Sequence, residues 1–153
     1  MDKFVLIYVG IIFLFLILIF MDNKRKDMEY IKSGVDKKEY LVRKLPDRQE
    51  AANLLAQTRE KLLQLGDYME EKYPNDIRVK RFSKFRNTII VESQPKSKFT
   101  SFSVNKGEKI VFCLRSRNSD EKLVNLNLLM FVALHELAHI MTKSVGHTEE
   151  FWD

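Results

Sequence analysis

The sequence is poor in cysteine, proline, glycine and histidine. A single cysteine, Cys113, in 153 residues excludes an internal disulfide framework, so the fold must hold without covalent staples. Three prolines and five glycines, with no repeat and no low-complexity tract, exclude fibrous and linker-like architectures. None of the eight asparagines lies in an Asn-X-Ser/Thr sequon. The length leaves room for one domain with a modest core. Hydrophobic residues make up 45% of the chain, but seventeen of them fall between Phe4 and Met21, interrupted only by Gly10. The remainder is about 39% apolar, below the globular average yet well above disorder.

The run FVLIYVGIIFLFLILIFM carries no charge over 18 residues. As a helix it would extend about 27 Å, close to the roughly 30 Å hydrocarbon core of a bilayer. Lys3 before it, and Lys24, Arg25 and Lys26 after it, are placed to snorkel to headgroups. A cleaved signal peptide fits less well, because the run is longer than an h-region and no small-residue cleavage site follows. Residues 1–23 are therefore expected to form a transmembrane anchor inserted in a lipid bilayer. Lys32, Lys37 and Lys38 extend the basic flank, so the positive-inside rule places the following domain in the cytosol.

Residues 24–45 read as a charged juxtamembrane tether with a short extended piece at 39–43, and residues 46–153 as the folded domain. Pro46 opens a helical pattern in which Ala51, Leu54, Leu55, Thr58, Leu62, Leu65 and Met69 recur at steps of three and four. Gly66 is a candidate bend, and Tyr73-Pro74 stops the run. A short helix is expected over 76–85 and a strand over 87–92. A hairpin is expected from 99–104 and 109–114 around Asn105-Lys106-Gly107-Glu108, its second strand apolar on both faces. Asn125 is suited to capping a final helix through residue 143. This order predicts an α+β fold: helix, small sheet, then a helix bearing the motif described next.

All three histidines, His135, His139 and His147, fall within thirteen residues. The first two form HELAH, an HExxH pattern. On a helix, residues four apart project from one face, so two imidazoles can share one zinc ion. Glu136 then lies on the adjoining face, placed as general base for the water that zinc activates. A catalytic site needs a third protein ligand and an open position. Gly146-His147 is favoured, because Gly can reverse the chain just before the histidine. Glu149 and Glu150 are the rivals, although both are also explained as first-turn acids of a helix capped by Thr148. A purely structural zinc is less compatible, since such sites are closed and commonly thiolate-rich.

The segment HELAHIMTKSVGHTEEFW resembles the WLM and SprT-like group of zincin peptidases, matching at His135, Glu136, His139, Gly146, His147 and Phe151. The preceding SVNKGEKIVFCLRS and LNLLMFVALHELAH resemble single-pass WLM-like proteins of large DNA viruses, over about residues 39–153. The resemblance implies a zincin-like fold, one Zn²⁺ per chain, a protein or peptide substrate and peptide-bond hydrolysis with Glu136 as base. Cellular members of the group act on DNA–protein crosslinks and on ubiquitin- or SUMO-linked proteins. Two departures are visible. Seven residues separate His139 from His147 where compact WLM motifs have five, and the sequence ends at Asp153 where relatives usually continue in a helix. The alternative function is a zinc-stabilised membrane or virion interaction protein whose hydrolytic site is vestigial.

Charge is segregated. Residues 77–117 hold eleven basic side chains against Glu92 and Glu108, whereas residues 118–153 hold two basic against six acidic. Within the basic belt, Arg78, Lys80, Arg81, Lys84 and Arg86 interleave with Phe82 and Phe85. Three readings stand: contact with nucleic acid through phosphates and stacked rings, contact with anionic headgroups, or a solvated face whose phenylalanines belong to the core.

Overall fold

The computed structural model describes residues 3–152 apart from Lys96, Phe99 and Ser119, and describes side chains in the first helix over 5–20 only. Lys96 of the basic belt and Phe99, the expected start of the hairpin, thus lie outside the described residues. The first helix, α1 (Lys3–Lys26), keeps every described side chain from 5 to 20 exposed. Among the described residues no helix is long and apolar enough to cross a membrane. The sixteen described side chains cover about 24 Å of helix, short of a roughly 30 Å hydrocarbon core.

The expected tether differs most from the structure. Strand β1 (Met28–Lys32) pairs antiparallel with β2 (Glu39–Arg43), and the hairpin packs on the domain through Tyr40 and Val42, both in the core. The extended piece at 39–43 was legible. Its partner was not, because alternating Glu29, Tyr30 and Ile31 among many charges disguises a half-buried strand.

Helix α2 (Arg48–Lys72) follows Pro46 and buries the Ala/Leu stripe: Ala51, Ala52, Leu55, Ala56 and Leu62 are all fully buried. It runs straight through Gly66 without a break. Glycine is required there by packing, since a Cβ would stand 1.8 Å from Cε1 of Phe82. Phe82 ends α3 (Ile77–Phe82), and a 3₁₀ turn (Ser83–Asn87) then buries Phe85 beside it. Asp76 caps α3 by accepting a 2.8 Å hydrogen bond from the Arg78 backbone.

The second sheet contains β3 (Ile89–Glu92), β4 (Phe102–Val104) and β5 (Lys109–Phe112), in the order β3-β5-β4. The β4–β5 pair is the expected antiparallel hairpin, trimmed at both ends, while β3 runs parallel to β5. As its sequence implied, β5 is covered on both faces, with Ile110, Val111 and Phe112 all buried. Against this sheet lies α4 (Leu126–Met141), capped by the Asn125 side chain accepting from Leu128 N at 2.9 Å. Leu129, Ala133, Leu137 and Ile140 form its buried stripe. A final turn of helix, α5 (Glu149–Trp152), follows.

One buried carboxylate ties these parts together. Glu92 is 1% exposed and accepts from Arg43 N and from Arg115 Nε, each at 2.7 Å. Arg115 in turn grips Asp47 with two bonds of 2.8 Å at the start of α2. Burial works against the Arg115 charge, but the Asp47 and Glu92 carboxylates outweigh it and raise its pKa. Removing Glu92 leaves the buried Arg115 guanidinium with Asp47 as its only carboxylate and takes the acceptor from the buried Arg43 N–H, so Glu92→Ala is expected to cost about 3–5 kcal/mol. By contrast, Asp67→Ala breaks an exposed pair with Arg86 and should cost under about 1 kcal/mol. Chemical denaturation of the full chain checks this, and equal losses in the two variants would refute it.

Candidate metal centre

The site is assembled from the last turns of α4 and the loop beyond it. Because Leu137 and Ile140 face the core, His135 and His139 emerge on the flank of the helix, half-buried, one turn apart. Their ring centroids are 5.0 Å apart. The helix stops at Met141, two residues earlier than the sequence pattern suggests, and Thr142 is already extended with φ −88° and ψ 150°. Gly146 therefore does not end the helix. At φ +86° it turns the loop four residues later, in a conformation other residues rarely adopt, and presents His147 back towards the helix.

The result brings the three sequence-predicted ligands together. His147 Nε2 lies 2.9 Å from His135 Nε2, and its ring centroid is 4.8 Å from that of His139. One ligand nitrogen from each histidine falls within 4.8 Å of the other two. Phe151 packs on all three rings at centroid distances of 4.5 to 5.0 Å, which restricts their rotation. Burial lowers the His135 and His139 pKa values, and the neighbouring histidines push in the same direction. Neutral imidazole is the form that binds metal. Among the described residues the cluster is three imidazole nitrogens with no carboxylate in it, a donor set suited to zinc.

Glu136 is 5% exposed and lies on the adjoining face of α4, against β4. Burial raises its pKa, opposed by a hydrogen bond from the Ser103 backbone. A cleft of about 530 Å³ brings Glu136 and the three histidines to one surface, with Phe102, Ser103, Phe131 and Val145 along its walls. Among the described residues lining this cleft there is no tyrosine, arginine or lysine. Phe131 and Val145 are strongly exposed, at 75% and 84%, and give the mouth an apolar rim. The sequence does not single out Phe131, because its neighbours in LLMFVAL are all apolar and no period marks the outward face.

Neither rival ligand joins the cluster: Glu149 is exposed outside it, and Glu150 points elsewhere. Its carboxylate accepts from Lys143 N at 2.8 Å and Ser144 N at 2.9 Å, and from Arg81 at 3.2 Å. The two backbone donors are the chief reason its pKa is held down to about 2, with Arg81 the lesser cause. Such a depressed carboxylate stabilises the fold fully above its ordinary value near 4.5 and loses that contribution as pH falls towards about 2. An NMR titration of the Glu150 carboxyl is expected to give a midpoint near 2. In Arg81→Gln the midpoint should rise only part of the way, and a full return to the ordinary value would show that the ion pair dominates.

The ring-stacking part of the nucleic-acid reading does not fit the structure. Phe82 and Phe85 are fully buried, so neither ring is available to stack on a base. Arg78 pairs with Asp76, Arg81 with Glu150, and Arg86 with Asp67 and Glu70. Lys80 and Lys84 are exposed. The reading with phenylalanines in the core describes this region.

Comparison with known proteins agrees with the geometry. A family model described as the WLM domain matches residues 36–153. A protein of Acanthamoeba polyphaga mimivirus is 36% identical over 158 residues, covering 99% of this chain and 80% of its own length. A protein of Invertebrate iridescent virus 3 is 43% identical over 68 residues, which is 44% of this chain and 38% of that relative. Among solved structures, a mutant of Wss1 from Saccharomyces cerevisiae superposes with a TM-score of 0.53 at 24% identity, covering 71% of this chain and 75% of that one. A second Wss1 structure gives 0.50 at 23% identity over 70% and 72%. These superpositions are likenesses of fold.

Proposed function

The chain belongs to the WLM family, a zincin-like protease family found here in large DNA viruses. On that footing we propose that it is a zinc-dependent peptidase of the HExxH type. The observation that carries this reading is the convergence of His135, His139 and His147 on one cleft with the buried carboxylate Glu136. The three imidazoles would hold one Zn²⁺ per chain. When bound, zinc supplies Lewis acidity, which acidifies water and polarises a carbonyl. Glu136 accepts the proton of the attacking water at a carboxylate oxygen and delivers it to the departing amine, a contribution of about 10²–10⁴ in rate. Phe151 holds the imidazoles in place, and the apolar rim at Phe131 and Val145 receives an extended protein segment.

Elemental analysis of the full chain in detergent is expected to find one zinc per chain, kept in Glu136→Gln and lost or much weakened in His147→Ala. With unfolded casein as probe, Glu136→Gln should lose at least about 100-fold in rate. Wild-type turnover unchanged by Glu136→Gln would end the general-base assignment. Absence of zinc from folded wild type would end the zinc assignment.

The reading also attaches the domain to the cytosolic side of a membrane by burying the apolar side chains of α1 in lipid. Its support is the uncharged run 4–21, the exposure of every described side chain over 5–20, and the cations that follow. Alkaline carbonate extraction should leave the full chain in the membrane pellet. Release into the supernatant would overturn the attachment.

A further inference from the structure

The loop that delivers His147 has few apolar contacts to hold it. Lys143, Val145, Gly146 and His147 are all exposed, and α5 buries no residue. Beyond the ring contacts of His147 with Phe151 and Trp152, its position depends on polar contacts, and these converge from two sides.

From one side comes the β4–β5 turn. Asn105, Lys106 and Gly107 have φ values of +49°, +53° and +100°, three successive left-handed residues, of which only the last is glycine. Such a turn is costly unless its surroundings fix it. Two contacts do so. A Cβ on Gly107 would stand 3.0 Å from Cδ1 of Ile140, so the turn rests directly on the helix that carries the histidines. Beside it, Lys106 Nζ donates to the backbone carbonyls of His139 and Thr142 at 3.3 Å each, and to that of Ser144. The ammonium has three donors, and all three go to the end of α4 and the loop beyond it.

From the other side, Glu150 accepts from the Lys143 and Ser144 backbone N–H groups, while Arg81 donates to the Met141 carbonyl and to Glu150. Ser144 is thus held twice, by its carbonyl to Lys106 and by its N–H to Glu150. Only Val145 and Gly146 separate it from His147.

We propose that Lys106 is a positioning residue for the third histidine, clamping the chain between His139 and Ser144, with Glu150 as the opposing jaw, so that His147 stands against His135. This rests on the zinc-site reading for its purpose, but the clamp itself is independent of metal. A cation at a helix C-terminus would by itself stabilise only the helix. Lys106 also spans beyond the helix end to Ser144 and so fixes the relation between the HExxH ligands and His147. Supporting groups of this kind typically change metal affinity rather than fold.

The test compares wild type, Lys106→Met, His147→Ala and the double variant as full chains in detergent. Zinc affinity is read by competition with a chromophoric chelator. Hydrogen exchange of residues 142–148 is read by mass spectrometry on metal-free protein. Lys106→Met should weaken zinc by about 10- to 100-fold, with exchange in α2 unchanged. The same substitution in the His147→Ala background should cause no further loss. Exchange over 142–148 in metal-free Lys106→Met should quicken by about tenfold or more. Unchanged affinity and unchanged exchange would overturn the proposal, as would an equal affinity loss in both backgrounds. If Lys106→Met does not fold, Glu150→Gln takes its place with the same expectations, and no change in either readout overturns the clamp. If wild type takes no zinc, the site reading fails while the exchange comparison alone decides the clamp.

Discussion

The arrangement of the molecule depends on the buried carboxylate of Glu92. A charge removed from water is costly unless it is paired and its remaining lone pairs are satisfied. Here Arg115 from the segment after β5 and the backbone of Arg43 at the end of β2 meet that requirement together. Asp47, before α2, then answers the other end of Arg115. Four separate parts of the chain must be in register for this one group to be satisfied. The network therefore adds directional contacts to the apolar core that Tyr40, Val42, Leu55, Ile90 and Ile110 share, and so helps to fix how the β1–β2 hairpin, α2 and the three-stranded sheet meet.

The consequence reaches the metal centre through β5 and α4. With the central strand apolar on both faces, one face is free to receive Leu129, Ala133, Leu137 and Ile140 of α4. That packing fixes the rotation of the helix about its axis, and so the directions of His135, Glu136 and His139. Glu136 ends up buried beside β4 while the histidines stand on the flank. This is a division of environments within one helical turn: the carboxylate is partly desolvated, and the imidazoles open onto the cleft. Phe151 and the loop contacts then complete the site from beyond the helix.

Much of this was legible from local pattern. The Ala/Leu period announced α2, Asn125 announced the start of α4, and the Asn105–Glu108 turn announced the β4–β5 hairpin. Each depends on residues within a few positions of one another. The misses share the opposite property. The β1 partner of the 39–43 strand, the parallel pairing of β3 with β5 and the stop of α4 at Met141 depend on contacts across the fold. The basic belt shows the same limit: eleven cations crowded in sequence suggested a binding surface, but ion pairs with Asp67, Glu70 and Glu150 and the burial of Arg115 divide them among separate tasks.

Residue types and spacing alone carry the chemistry of the candidate site: three histidines, a glutamate one residue after the first, and a glycine just before the last. Helical periodicity sufficed to put His135 and His139 on one face, because that geometry belongs to the helix alone. Tertiary structure decided which third group joins them. His147, Glu149 and Glu150 were all candidates by sequence, and Glu150 separates from His147 because it is drawn to the Lys143 and Ser144 N–H groups and to Arg81. Lys106, thirty-three residues before His139, also owes its place to the fold. No local pattern links a hairpin turn to the end of a helix that lies beside it only after both have packed.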